Sequence, residues 1–203
     1  MKVLFVHNFY KIAGGEDAVF HNEIKLLKEH NHQVITYQVN NTTIKTLWNK
    51  VAVMLSAVFS FTQYKKMREF LRTHKPDVVH VHNYFPLLSP SIFYACKKEN
   101  IPVVHTLHNY RAVCPTALLM YDGNINESSI KGSSWWGVSK KVYRGSMVGS
   151  LVLVLMIELH KRINTWQRKV DRFITLTAFS KEKYMEAGWP VDKLVVKPNF
   201  IDD

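Results

Sequence analysis

Val78-Val79-His80-Val81-His82-Asn83 is a short β-branched run closed by a His-Asn pair. The same pattern occurs in Val3-Leu4-Phe5-Val6-His7-Asn8 and Val103-Val104-His105-Thr106-Leu107-His108-Asn109. Short apolar runs without polar alternation are expected of strands buried on both faces, as in a parallel sheet. Such a sheet gathers its strand ends along one edge. Ligands of open α/β sheets bind in the crevice beyond those carboxyl ends, so three His-Asn pairs there predict a cleft lined by hydrogen-bonding and titrating groups.

Working outward, Lys2 to Val6 reads as the first strand, followed by a loop holding Gly14-Gly15 and a helix with Phe20, Ile24 and Leu27 on one face. That helix ends near His30, and a second strand covers Gln33 to Val39. Helical stretches around Thr46 to Phe61 and Gln63 to Thr73 precede Lys75-Pro76-Asp77, where proline breaks the chain before the strand at Val78. A helix from Pro90 or Ser91 to Lys98 leads to the strand at Val103. Residues 109–150 lack periodicity and read as a long loop or mobile insertion. A helix from about Leu151 to Arg168, a strand from Arg172 to Leu176, a helix from about Ser180 to Ala187 and a strand from Leu194 to Val196 complete the pattern. Alternating β and α elements predict a Rossmann-like, doubly wound parallel sheet with helices on both faces, in one domain spanning residues 1–203.

A length of 203 residues suffices for one core, and 47% hydrophobic against 21% charged residues fits a folded globular chain. Cys96 and Cys114 form no disulfide framework, and nothing at the N-terminus resembles a signal peptide. A reducing, cytoplasmic location is therefore expected, and the sequon Asn126-Glu127-Ser128 is read as accidental.

The 27 Lys and Arg against 16 Asp and Glu give a formal charge of +11. Such a field attracts nucleic acid, anionic lipid or phosphorylated substrates, and charge alone does not choose among them. Basic residues flank two eleven-residue apolar runs: Lys45, Lys50, Lys65, Lys66 and Arg68 around Val51 to Phe61, and Lys140, Lys141, Arg144, His160, Lys161 and Arg162 around Met147 to Ile157. Both runs fall short of the ~20 residues needed to cross a bilayer. Each reads either as a core helix with solvated ends or as an interfacial helix on an anionic membrane surface.

A dinucleotide-dependent dehydrogenase is disfavoured. Gly14-Gly15 is not G-x-G-x-x-G, the second strand ends Tyr37-Gln38-Val39-Asn40 without an acid for a ribose, and Glu16 and Asp17 would repel a phosphate on the first helical turn. Among ten histidines, His80 and His82 project to one face of a strand, but no carboxylate or thiolate lies at a matching local spacing, so no metal site is expected. His108 is the leading catalytic candidate, because Asn109, Tyr110 and Arg111 follow it and place a base and a cation on one turn. Cys114, followed by Pro115, is a weaker nucleophile candidate.

Phe5-Val6-His7-Asn8, Gly14-Gly15-Glu16-Asp17, residues 75–83, Phe85-Pro86-Leu87-Leu88-Ser89-Pro90, Thr106-Leu107-His108-Asn109-Tyr110-Arg111 and Val196-Lys197-Pro198-Asn199-Phe200 are collinear with the N-terminal half of a family 4 glycosyltransferase, and over nearly the whole chain the sequence resembles that family. The resemblance implies one acceptor-side half of a GT-B fold and retaining transfer without a metal or other cofactor. The expected partners are a nucleotide-sugar donor and a glycan or lipid-linked acceptor, with no nucleic acid. It implies that Gly14 and Gly15 approach the donor phosphates and that His108 lies beside the reacting sugar. His7, Asn8, Glu16, His82, Asn83, Asn109, Tyr110 and Arg111 are expected on the acceptor side of the cleft. Residues 197–203 match the start of the crossing to a C-terminal donor-binding domain. Where close relatives often carry cysteines in the long loop, this chain has Asn126, Ser129 and Val142. The competing expectation is a non-catalytic remnant or binding module for a glycolipid or partner chain.

Overall fold

A computed structural model describes residues 1–10, 12, 14–41, 54 and 56–200. Six parallel strands form one sheet in the order β2-β1-β3-β4-β7-β8. They are β1 (Lys2–Phe9), β2 (Gln33–Asn40), β3 (Val78–Val81), β4 (Val103–Leu107), β7 (Arg172–Thr175) and β8 (Leu194–Val196). A separate antiparallel hairpin joins β5 (Met120–Tyr121) to β6 (Asn124–Ile125). The longer helices are α1 (Gly15–Glu29), α2 (Phe61–His74), α3 (Ser91–Lys98), α6 (Met147–Arg162) and α8 (Ala178–Glu186). Short helices α4 (Ser128–Lys131), α5 (Trp136–Ser139) and α7 (Thr165–Lys169) lie between them. The doubly wound sheet expected from the sequence is the observed fold.

Strand pleating sorts the apolar runs onto two faces. Leu4, Val6, Val79, Val81, Val103 and Leu107 enter the main core with Leu88, Ile92, Phe93, Leu153, Met156, Trp166 and Phe173. The alternate positions Val3 and Phe5 pack with Phe20 of α1 in a smaller cluster. On that second face the strands turn polar toward their carboxyl ends. His7, His80, His82, Thr106 and His108 follow Phe5, Val78 and Val104 at the two-residue period.

β1 extends to Phe9, beyond the expected end at Val6, because His7, Asn8 and Phe9 pair with Gln38, Val39 and Asn40 of β2. The long helix expected from Leu151 to Arg168 begins earlier, at Met147, where the Ser146 hydroxyl accepts from the Gly149 N–H. It breaks at Asn164, whose φ of 54° is left-handed, and restarts as α7. Residues 109–150 carry the hairpin and two short helices instead of lacking structure. Lys183 bonds Glu127 at 2.8 Å, Trp136 Nε1 donates to Ser129 Oγ at 2.8 Å, and Ser134 N donates to Glu158 Oε1 at 2.8 Å, which fastens the segment to α6 and α8. The helix expected around Thr46 to Phe61 falls mostly outside the described residues, as do Lys45, Lys50 and positions 51–53 and 55 of the first apolar run, while Met54 and residues 56–58 are helical.

The order β2-β1-β3 places a topological switch at β1, and loops leaving the carboxyl ends of β1 and β3 must part there. Asn8 holds the parting in shape. It is fully buried, its Oδ1 accepts from Leu87 N at 3.1 Å, and its Nδ2 donates to Asn41 Oδ1 at 3.3 Å. Asn8→Ala strands the buried Asn41 amide and the half-buried Leu87 N–H and should lower stability by about 1–3 kcal/mol in urea unfolding; an unchanged midpoint would contradict this scaffold role.

Candidate functional site

The hollow at this switch is lined by Tyr10, His82, Asn83, Phe85, His105, Thr106, His108, Asn109, Arg111 and Tyr184. It holds about 20 Å³, enough for about one water, so a sugar would seat across its mouth.

His82 Nδ1 and His108 Nε2 share a hydrogen bond of 3.0 Å, and their rings stack with centroids 5.1 Å apart. Burial, reinforced by His82 and His105, pushes the His108 pKa down to about 3. Burial also lowers His105, to about 4, and holds His80 and His82 well below the usual imidazole range. At neutral pH these rings are uncharged, so His108 offers a neutral donor or acceptor instead of a cation.

Asn83 Nδ2 donates to Asn8 O at 2.8 Å and to Glu16 Oε1 at 3.0 Å, while its Oδ1 accepts from Phe85 N at 3.0 Å. Desolvation and the neighbouring Asp17 carboxylate raise Glu16 to about 7, with Asn83 and Arg111 pulling it partly back. Arg111 lies over the Phe85 ring at 5.7 Å and donates from Nη1 to Pro115 O at 2.7 Å. Asn109 Oδ1 accepts from Arg111 N at 3.0 Å, and its carbonyl accepts from Tyr184 OH at 2.7 Å.

The expected cleft residues therefore divide. Asn83, His82, His108, Asn109 and Arg111 meet at the hollow, with Glu16 bonded to Asn83. His7 departs from the expectation: its ring is fully buried, and its Nε2 shares a 2.7 Å bond with Asp17 Oδ1. It holds the glycine loop from behind, since Asp17 Oδ2 accepts from Gly14 N at 3.0 Å. Asn8 is likewise scaffold, and Tyr110 does not line the hollow but stacks on Tyr184, which does, with centroids 5.8 Å apart. Gly14 and Gly15 are exposed, and at either one the position a Cβ would take has open space for 4 Å around it. The expected repulsion of a phosphate by Glu16 and Asp17 weakens, because Asp17 turns inward to His7 and Glu16 is partly protonated at neutral pH. Cys114 is buried and lies 3.3 Å from Thr116 Oγ1.

The local spacing around His80 and His82 hid a carboxylate. Glu23 reaches them from α1, with Oε2 3.5 Å from His80 Nδ1 and from His82 Nε2, while Lys197 Nζ lies 2.7 Å from Oε1. The signal was present in Glu23 itself, a charge three residues after Phe20 on the buried face of α1. Nothing in the sequence announced Tyr10 or Tyr184.

A second surface lies on α6. Its inner side packs Leu153, Val154, Met156 and Ile157 into the interior, while Met147, Val148, Leu151, Leu155 and Leu159 are exposed along the outer side. Beside it, Trp135, Leu155, Leu159, Lys131, Lys161 and Arg162 line an open groove of about 610 Å³. Two expected basic flanks are committed elsewhere: His160 is buried between Thr165 and Val58 O, and Lys161 donates to Ser129 O and Gly132 O. Lys140, Lys141, Arg144 and Arg162 remain exposed. Among the described residues, no helix is long and apolar enough to cross a membrane.

The parallel sheet with its site at the β1/β3 switch is the Rossmann-like N-terminal domain of the GT-B architecture. Residues 13–203 match Glycosyltransferase Family 4, and the chain belongs to that family. Over 177 residues it is 24% identical to an uncharacterized 42.6 kDa protein in the cps region of Klebsiella pneumoniae, covering 83% of this chain and 40% of that protein. S. aureus MnaA in complex with UDP superposes with a TM-score of 0.53 at 12% identity, over 98% of this chain and 44% of that one. UDP-GlcNAc 2-epimerase from Neisseria meningitidis, bound to UDP-GlcNAc, gives 0.52 at 15% identity, over 98% and 46%. At these identities the structural likeness concerns the fold alone, and the chain spans less than half the length of each of these proteins.

Two pH effects follow. Imidazoles lowered in the fold bind protons more readily when unfolded, so their contribution is complete above about pH 6.5 and is lost as pH falls toward about 3. The thermal midpoint should drop steadily below pH 6.5. Glu16 acts oppositely: its raised pKa of about 7 favours the fold in acid and costs stability as pH rises through that value. Glu16→Gln should therefore raise the thermal midpoint at pH 8 relative to the parent and leave it unchanged near pH 4.5, and equal midpoints at pH 8 would contradict the buried-carboxyl reading.

Proposed function

We infer that this chain is the acceptor-binding half of a retaining, metal-independent glycosyltransferase that moves a sugar from a nucleotide-sugar donor to a lipid-linked or cell-surface glycan at the cytoplasmic membrane face. The observation that carries the reading is the convergence of neutral His108, Asn83 and Glu16 at the switch crevice of a family 4 chain. In retaining transfer, negative charge grows on the leaving diphosphate and positive charge on the anomeric carbon. Exposed backbone at Gly14 and Gly15 can approach that diphosphate, with the Gly15 N–H as the donor because that of Gly14 is held by Asp17 Oδ2, while a donor domain reached through residues 197–203 supplies the rest. His108 and the Asn83–Glu16 pair orient hydroxyl groups, an effect of proximity. A neutral imidazole suits this task, because a cation beside the anomeric centre would oppose its developing positive charge.

The outer side of α6 supports the membrane part of the reading. Its apolar stripe, with Trp135 beside it and Lys140, Lys141, Arg144 and Arg162 exposed nearby in sequence, has the composition of an interfacial helix on anionic lipid. The relative encoded in a cps region fits a role in surface polysaccharide assembly.

In the complete enzyme, His108→Ala should reduce turnover by roughly 10²-fold with an unchanged circular dichroism spectrum. Unchanged turnover would remove His108 from the site. The chain should float with liposomes containing anionic lipid, and replacing Leu151, Leu155 and Leu159 together by Ser should abolish flotation. Flotation that survives those replacements would exclude α6 as the contact.

A further inference from the structure

Beneath the hollow, three buried ligand-type atoms converge: Glu23 Oε2, His80 Nδ1 and His82 Nε2 lie within 4.8 Å of one another. The two 3.5 Å approaches to the carboxylate are longer than the usual 2.7–3.2 Å of an N–H···O bond. His82 Nε2 is buried with no hydrogen-bond partner. The opposite nitrogen of each ring is engaged, His80 Nε2 with Thr106 Oγ1 at 2.8 Å and His82 Nδ1 with His108 Nε2 at 3.0 Å. When those outer nitrogens carry the protons, two imidazole lone pairs and a carboxylate face one another, which is repulsive without a cation between them. Outer hydrogen bonds of this kind fix the tautomer and orientation of metal-bound histidines.

We propose that Glu23, His80 and His82 form a binding site for one divalent transition-metal ion, of which zinc is the type, between α1 and the carboxyl end of β3. Two imidazoles and a carboxylate are a zinc ligand set, and bonds of about 2.0–2.1 Å in tetrahedral geometry separate neighbouring ligand atoms by roughly 3.4 Å, close to the 3.5 Å approaches. Magnesium, which prefers oxygen ligands and octahedral geometry, suits this set poorly. The ion would sit behind His82, clear of the hollow, tying α1 to the sheet and orienting the ring that holds His108. It is a fixing element and takes no part in sugar transfer, so it stands or falls separately from that reading.

Lys197 is the built-in competitor. Its Nζ lies 2.7 Å from Glu23 Oε1, and its side chain is 39% exposed, so the amine can swing outward and free the second carboxylate oxygen. Lys197→Met should therefore bind metal at least as tightly as the parent, whereas Glu23→Gln and the double change His80→Ala, His82→Ala should lose affinity by at least about tenfold.

The test loads the intact chain with excess Zn²⁺, dialyses it and counts metal, then repeats the loading with Co²⁺ and records the visible spectrum. The expected result is about one ion per chain and the intense ligand-field bands of tetrahedral cobalt. Less than a tenth of an ion per chain, or a cobalt spectrum like that of the aqueous ion, overturns the proposal. So does parental binding by folded Glu23→Gln. Should the variants fail to fold, parental stoichiometry and the cobalt spectrum decide the matter without them.

Discussion

The structure turns on keeping a row of buried imidazoles uncharged at the carboxyl end of the sheet. His80, His82 and His108 occupy the α1-facing side of β3, β4 and the turns after them, and burial disfavours a proton on each. Each of these rings must then find a neutral partner. Thr106 serves His80, and His82 and His108 serve each other. That requirement fixes the registers of β3 and β4, since a one-residue slip would carry all of these side chains to the opposite face. It also fixes α1, whose Phe20 covers the row while Glu23 enters it.

The site inherits its character from this row. His108 stands at the open end, backed by a ring that resists taking up a proton, so its chemistry at the hollow is hydrogen bonding. Glu16, bonded to Asn83, is a carboxyl near the hollow whose pKa is raised to about 7 by burial and the neighbouring Asp17. His7 and Asp17 form a separate buried pair that shapes the glycine loop from within. Three His-Asn pairs thus share one sheet edge but divide the labour: the first is scaffold, and the second and third frame the hollow.

Much of this was legible in the sequence because it depends on local pattern. The strands at Val78, Val103, Arg172 and Leu194 and the helix at Ser91 stand where β-branched runs and proline breaks put them. The two-residue spacing of His80 and His82 correctly assigned them to one face. The details that escaped depend on tertiary contact. β1 lengthens because β2 continues to pair with it. The helix breaks at Asn164 through a left-handed residue that no periodicity announces. His160, read as a basic flank, is drawn inward by Thr165 and Val58 O. Glu23 meets the histidines from a distant part of the sequence, beyond any local spacing.

The most direct test of the neutral row is the imidazole ¹⁵N spectrum of the intact chain followed from pH 8 to pH 5, with free imidazole as an internal reference. The account predicts that His80, His82 and His108 keep the chemical shifts of neutral rings throughout, each in a single tautomer, while the reference takes up its proton. Titration of His82 and His108 alongside the reference, in a chain that remains folded, would contradict it.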